Sequence, residues 1–396
     1  MLTYQIDPAQ KKDTQLFLEL PFRLYSGNRQ WVPPLDVEAR MVLDKKRHPF
    51  YRHSEAAFFV CMHENRLVGR LAVLNNKRYN EYNHSQMAFF TLFEAENNTE
   101  AVLSLFEAAS IWARDRELCE LTGPKGFSLL DGMGLLVKGF EHRPAFGIPY
   151  NLEYYPEQLE GIGFETESEN VSGYLDPSAA IPIRIHEISR RIQDRRGLEI
   201  ANYHTRWDLR KLIPRLKELY NGALEGSSGT YPLENAEVNA MAVQLMGFAD
   251  PKLIKVVMKT AKSPQEKDKP VGFLLAYPDV SAALQASGGR LFPWGWLKIL
   301  QERDRTDWVN INGAGMLDEY RGLGGTAILF SEMQKAISAS GQFRHAEIVQ
   351  IDVKNERMQR ELRDLGVNFY KMHRIYRKDL ENRSRQPGSQ KPVINP

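Results

Sequence analysis

Residues 308–337 read WVNINGAGMLDEYRGLGGTAILFSEMQKAI, and they carry most of the chemistry the sequence discloses. Trp308 to Leu317 reads as a strand, and a helix runs from about Thr326 to Ser340, where Gly341 stops it. Between them Arg321, Gly322, Leu323, Gly324, Gly325 and Thr326 form a glycine-rich turn. A strand, such a turn and a helix in this order build an anion site: glycines let successive backbone N–H groups approach a ligand, and the helix start adds unpaired donors and a positive dipole end. A pyrophosphate fits such a place, and Arg321 supplies a guanidinium able to fork onto phosphate oxygens. Two familiar phosphate loops are excluded. A Walker loop needs Gly-Lys followed by Ser or Thr, which the chain lacks. A dinucleotide fingerprint starting at Gly313 and Gly315 meets Asp318 where its third glycine belongs.

Outward from this stretch, helix and strand signals alternate along the chain, which points to an α/β (α+β) class, and the alternation happens twice. In the first half, Phe58 to Met62 and Leu67 to Leu74 form a hairpin, Met87 to Phe93 a strand, Asn98 or Thr99 to Arg116 a helix, and Leu118 to Thr122 a strand. An Asn151 to Glu160 stretch and a Gly161–Gly163 turn then lead into a strand from Phe164 to Leu175. In the second half, a charged loop at Lys262 to Lys269 feeds the strand Val271 to Tyr277. Then come Trp308 to Leu317, the glycine turn and its helix, the strand Ala346 to Val353, a helix from Asn355 to Asp364, a Gly366 turn, and a last strand from Val367 to Arg377. The closing segments align as Asn151…LEGIGF and Asn355…LRDLGV. This predicts a divergent tandem repeat: one domain over 1–175, a second over 176–380 beginning at the linker DPSAAIP, and a disordered tail over 381–396.

Composition narrows the functional classes. The chain has 396 residues, enough for two to three domains, and 42% of them are apolar, enough for a core in each. Lysine and arginine number 52 against 50 acids, so bulk charge does not drive nucleic-acid binding, and nucleic acid is not an expected partner. The longest apolar run, about Ala56 to Met62, is far too short to span a bilayer, and the N-terminus lacks a signal-peptide pattern. Two cysteines without metal spacing, and histidines without an HxH or HxxxH pair, leave no disulfide framework and no metal site. These features lead to the expectation of a cytoplasmic protein with no membrane partner.

The pattern Tyr320-Arg321-Gly322-Leu323-Gly324, ending at Thr326, resembles the RxxGxG/A loop of the GCN5-related N-acetyltransferases (GNAT). The resemblance extends to element order across roughly residues 265–378. It implies two tandem acyl-CoA N-acyltransferase-like domains, each a mixed, largely antiparallel central sheet flanked by helices. It implies acetyl-CoA or another acyl-CoA as co-substrate, held by the backbone of Arg321, Gly322, Leu323, Gly324, Gly325 and Thr326, with pantetheine-facing backbone at Met316 and Leu317 and a contact from Asn355. Thr326 departs from the small residue that usually ends the loop. The tyrosine that often protonates the CoA thiolate is replaced by Leu362, with Tyr370 and Tyr376 nearby. The first copy has Glu94, Ala95, Glu96, Asn97, Asn98 and Thr99 at the corresponding place, with no glycine and two carboxylates, so it is expected to have lost cofactor binding.

The implied reaction is direct attack of an unidentified amine, small molecule or peptide, on the thioester. Candidates for proton transfer are Asp352 as base, Asn310 or Asn312 acting through water, and Tyr370 as acid; Asp352 also reads as a helix cap. Rival readings are a non-catalytic acyl-CoA-binding module and an aminoacyl-tRNA-dependent transferase. Phe292, Trp294 and Trp296 read first as packing between the domains, with a substrate wall, a homodimer surface and a membrane-touching lip as alternatives. The cluster Arg184, Arg190, Arg191, Arg195 and Arg196 reads first as a solvated helix face.

Overall fold

A computed structural model describes residues 1–128, 131–179, 181–201, 203–210, 212–224, 230–261, 263, 268–321 and 324–380. The expected tail and most of the charged 262–269 loop lie outside the described residues, as do Gly322 and Leu323. Thirteen strands form one sheet: β1 (Leu2–Gln5), β2 (Glu55–His63), β3 (Arg66–Asn75), β4 (Met87–Ala95), β5 (Glu120–Gly123), β6 (Leu135–Lys138), β7 (Glu165–Leu175), β8 (Leu198–Ile200), β9 (Ile254–Lys259), β10 (Lys269–Pro278), β11 (Trp308–Met316), β12 (His345–Asp352) and β13 (Asn368–Asp379). Helices flank this mixed, mostly antiparallel sheet, the α/β class read from the alternation. Among the described residues no helix is long and apolar enough to cross a membrane.

The strand order is β1-β2-β3-β4-β5-β13-β7-β12-β11-β10-β9-β8, with β6 also against β13. It is symmetric about its centre: β3, β4 and β5 on one side answer β10, β11 and β12 on the other. The two closing strands trade places. β7, which ends the first half, pairs with β12 of the second, while β13, which ends the chain, pairs with β5 of the first. β7 and β13 also pair with each other over most of their lengths. The sheet therefore has no seam between the halves, and cutting the chain between them would strip each half's last strand of its partners from the other half.

Apolar side chains at helical spacing decide which face each helix covers. Val102, Leu105, Phe106 and Ala109 of the helix Thr99–Arg114 pack on β2, β3 and β4 in one core, and Ile328, Leu329 and Met333 of the helix Gly325–Ser340 pack on β10, β11 and β12 in another. A third core mixes the halves: Phe17 from the helix Lys11–Leu24 meets Phe58, Leu74, Tyr231 and Val238. A fourth joins Leu35, near the N-terminus, to Val280, Leu284 and Ile299. There Gln285 donates to the carbonyls of Arg29 and Trp31, and Asp36 N–H donates to Gly289 O. Gly134 and Gly139 lie close against β13: a Cβ at Gly134, where φ is +79°, would stand 2.9 Å from Arg374 O, and one at Gly139 would stand 2.8 Å from Tyr370 O.

Candidate functional site

Parallel strands part where their ladder stops. β11 and β12 pair from Trp308 with His345 to Ile311 with Ile348, yet β11 continues to Met316 and β12 to Asp352. Beyond Ile311 the two diverge into a V. Gln350, at φ +47°, bulges β12 there; its backbone N–H donates to Ser172 Oγ, and its amide exchanges hydrogen bonds with Met133 at 3.0 and 2.6 Å. From the far end of β11 the chain passes through a 3₁₀ turn at Asp318–Tyr320 to Gly324, which adopts the left-handed conformation (φ +86°, ψ 8°) and caps the helix Gly325–Ser340. Only glycine takes that conformation without strain. The first N–H groups of this helix have no intrahelical acceptor, and the dipole places positive charge at the turn.

β4 and β5 part in the same way after Phe89 and Thr122. The corresponding turn has no glycine and is closed by the protein's own charges: Glu96 is held by Arg23 and Arg66, each at 2.5 Å, and Asn98 caps the next helix by accepting from Ala101 N–H. Glu94 is largely shielded, its side chain 12% exposed, and accepts from the hydroxyls of Tyr25 and Tyr155, both at 2.8 Å, with Arg70 at 3.9 Å. Burial pushes its carboxyl above the usual carboxylate range despite these partners.

With the V on β11 and β12, its mirrored counterpart and the intervening helices in place, the comparison with solved structures is direct. Over 96% of this chain and 99% of the other, the fold superposes with a TM-score of 0.53 on a tandem GNAT protein from the clavulanic acid biosynthesis pathway, at 12% identity. A GCN5-related N-acetyltransferase from Anabaena variabilis gives a TM-score of 0.51 over 96% of this chain and 73% of that one, at 11% identity. The chain has the tandem GNAT fold. Two curated relatives span nearly the same length: Protein YghO of Escherichia coli, 23% identical over 93% of this chain and 94% of its own, and the bacterial ceramide synthase of Caulobacter vibrioides, 25% identical over 92% and 94%. No family model matches the sequence.

Within the GNAT fold, the residues singled out in the sequence fall into distinct places. The Arg321 guanidinium is spent on its own chain: Nε donates to Met316 O at 3.0 Å, one terminal nitrogen to Ala223 O at 2.6 Å, and the other meets Asp318 at 2.5 Å. The fork expected to receive phosphate oxygens is occupied by the protein's own acceptors. Met316 is buried against Gly272 and Gly325, and Leu317 N–H is given to Val271 O. Asp352 accepts from Lys354 N–H and so closes the turn into the helix Glu356–Asp364, which Asn355 caps by accepting from Met358 N–H. Both side chains have structural work at that corner. Gly324 and Thr326 remain at the mouth of the turn, Gly324 facing Ile188 and Ile192; a Cβ at Gly324 would collide with Ile192 Cδ1.

That contact places the helix Ile183–Arg196 across the glycine turn. At helical spacing Arg191 and Arg195 share the face of Ile188 and Ile192, so these two of the five arginines, both exposed, stand beside the turn. Phe292 and Trp294 are 75% and 67% exposed and Trp296 is 43% exposed, which corrects the expectation of packing between the halves; the helix Gly295–Arg305 packs through Ile299 instead.

A buried polar layer lies across the base of the V. Asn310 on β11 sits opposite Glu347 on β12 in the parallel ladder. It is fully buried, and among the described residues neither its amide oxygen nor its amide nitrogen has a hydrogen-bond partner. Glu347 receives two hydrogen bonds from Lys371 Nζ, at 2.8 and 3.0 Å, and Lys371 also donates to Arg143 O at 2.7 Å. Burial raises the Glu347 carboxyl and lowers the Lys371 ammonium from their ordinary values; Tyr370, hydrogen-bonded to Glu347, is raised by the same burial. Next along β11, Asn312 donates to the hydroxyl of Tyr277 on β10. Sequence reasoning reached Asn310, Asn312 and Tyr370 but not Glu347 or Lys371, which look locally like ordinary strand charges. Their signal is burial, which no local pattern carries.

Proposed function

We propose that the protein transfers an acyl group from an acyl-CoA to an amine by direct attack, and that the C-terminal V is where it does so. The observation that carries this reading is the junction of two features on one strand: β11 parts from β12 beside a buried, unpartnered Asn310, and then leads through the left-handed Gly324 into a helix start. The V takes the pantetheine arm, and the turn with Arg191 and Arg195 takes the phosphates, the charge role that Arg321 has given up. Asn310 is poised to bind the developing oxyanion or a water beside it, since a buried amide without partners is costly unless a ligand completes it. The ammonium sheds one proton before attack and a second as the tetrahedral species collapses. The C–N bond forms, the C–S bond breaks, one proton ends on the CoA sulfur and the other in solvent. Tyr370, kept protonated by burial, is the candidate donor to sulfur.

The name of the Caulobacter relative denotes synthesis of a fatty amide on a long-chain amino alcohol, which favours a long-chain acceptor and a fatty acyl donor here. The test is calorimetry with palmitoyl-CoA and acetyl-CoA, followed by thiol release with hexadecylamine as acceptor. Replacing Arg191 and Arg195 together by alanine is expected to weaken acyl-CoA binding about tenfold or more, because hydrogen bonds to charged groups contribute ~1.5–3 kcal/mol each. Wild-type protein that binds neither thioester, or binds without releasing thiol with any amine, would sink the reading.

A further inference from the structure

A cavity of about 770 Å³ lies outside the C-terminal V and opens into the mirrored V of the first half, between β4 and residues 124–127 and 131–135. Its walls come from both halves: Leu18 and Phe22 from the helix Lys11–Leu24, Val32 from the strap that follows, Phe93 from β4, and Phe146 and Leu284 from the opposite side. One place is polar in a particular way. Tyr277 and Asn312, hydrogen-bonded to each other, line the cavity, and Asn312 lies on β11 two residues from Asn310. The cavity therefore connects with the strand that forms the proposed reaction centre.

The charges that line it have a sign. Glu19, Asp36, Glu38, Glu94 and Asp131 stand against Arg40, Arg70 and Arg290, with Arg70 and Glu94 3.9 Å apart. Asp36 Oδ1 is buried without a hydrogen-bond partner among the described residues. Glu38 lines the same cavity as Tyr277 and Asn312. Two residues along from Arg290 the chain exposes Phe292, and four along Trp294, so the surface beside this wall is itself apolar. An acidic excess repels a polyphosphate and attracts an ammonium, and a long apolar wall rewards a hydrocarbon chain.

We infer that this cavity is the acceptor chamber: it binds a long-chain primary amine, its ammonium at Glu38, Tyr277 and Asn312 and its alkyl chain along Leu18, Val32, Phe93 and Leu284. The inference rests on the acyltransferase reading for the fate of the amine, but not for its binding. The first half thus keeps the V of its fold and fills it with an acceptor in place of a cofactor.

Trp31 lines the chamber and stacks on Tyr25 at 4.8 Å, so its fluorescence reports occupancy. The full chain is titrated with octylamine, dodecylamine and hexadecylamine below their micellar concentrations, and in a separate arm with palmitoyl-CoA and acetyl-CoA. Amine affinity is expected to rise about tenfold for every two carbons added. Leu18→Trp and Val32→Trp, two independent ways of filling the chamber, are each expected to cancel the gain at hexadecylamine and leave octylamine within about threefold. Acetyl-CoA binding is expected to be unchanged in both. Amine affinity independent of chain length, or of both substitutions in folded protein, overturns the chamber; so does a chain-length gain shown by palmitoyl-CoA and removed by those substitutions, which gives the cavity to the donor. Thiol release separates the two levels: chain-dependent amine binding without turnover leaves the chamber standing and removes the transferase, while turnover insensitive to chain length does the reverse.

Discussion

Replacing Lys371 by methionine isolates the most demanding interaction in the molecule. The Lys371 and Glu347 side chains are 1% and 3% exposed, and all three ammonium protons have an acceptor: two carboxylate oxygens and Arg143 O, at 2.7 to 3.0 Å. Lys371→Met nearly conserves volume and leaves a carboxylate buried beside one tyrosine hydroxyl. Breaking a buried pair in this way costs about 3–5 kcal/mol, whereas replacing both partners by uncharged groups is often close to neutral. The expected outcome is a loss of about 4 kcal/mol for Lys371→Met, a comparable loss for Glu347→Gln, and a double variant that recovers most of it, measured by urea unfolding with tryptophan fluorescence. With about 1–2 kcal/mol still lost in the double variant, the cycle should return a coupling of about 6–7 kcal/mol, the excess of the two single losses over the double. The lone Glu347 should also bind a proton readily, so the deficit of Lys371→Met should shrink as pH falls. Single variants that lose less than about 1 kcal/mol, with an additive double variant, would show that the ammonium and carboxylate do not depend on each other and would refute this account of the layer beneath the V.

Two further outcomes are expected. Burial holds His373 at about 4, below the ordinary 6.5; its Nε2–H donates to Pro149 O at 3.0 Å and Nδ1 is buried without a partner. Because the folded value is lowered, the stability this ring permits is complete above pH 6.5 and is lost as pH falls toward 4, by about 3 kcal/mol; His373→Gln, which keeps a donor for Pro149 but cannot titrate, should flatten that part of the pH–stability curve, and an unchanged slope would show that the ring is already charged when folded. The exchanged strands predict that residues 176–396 alone do not unfold cooperatively, since β12 and β13 both lose β7, whereas co-expressed 1–175 and 176–396 copurify as one complex; a monomeric, cooperatively folded 176–396 would contradict the role given to the exchange.

The parts of the fold legible in the sequence are those governed by neighbours a few residues apart. The strand read from Met87 to Phe93 runs from Met87 to Ala95, and the cap read at Asn98 or Thr99 is Asn98, because alternation and capping act within a turn or two. The helices around Leu284 and Ile299 carried no comparable signal, and the stretch Arg184 to Arg196, read as a solvated helix face, was brought beside the glycine turn by packing. The exchange of β7 and β13 had none at all: each follows the same asparagine, helix and glycine turn, and the choice of partner strand is made by edges more than a hundred residues away. In the first half, the carboxylates of the 94–99 turn read as hostile to pyrophosphate; that their charge is met by Arg23, Arg66, Tyr25 and Arg70 is a matter of which distant residues the sheet brings near.

The sequence by itself determined that a strand, a left-handed glycine and a helix start follow one another at 308–340, since φ preference, missing helix donors and the helix dipole are local properties. Tertiary structure decided what surrounds that turn. It committed Arg321 to carbonyls at 316 and 223, laid the arginine-bearing helix 183–196 across Gly324, buried Asn310 without a partner beside Glu347, and opened a chamber whose walls come from both halves. Burial and charge pairing depend on every residue packed against a group, and those neighbours are chosen when the whole sheet closes.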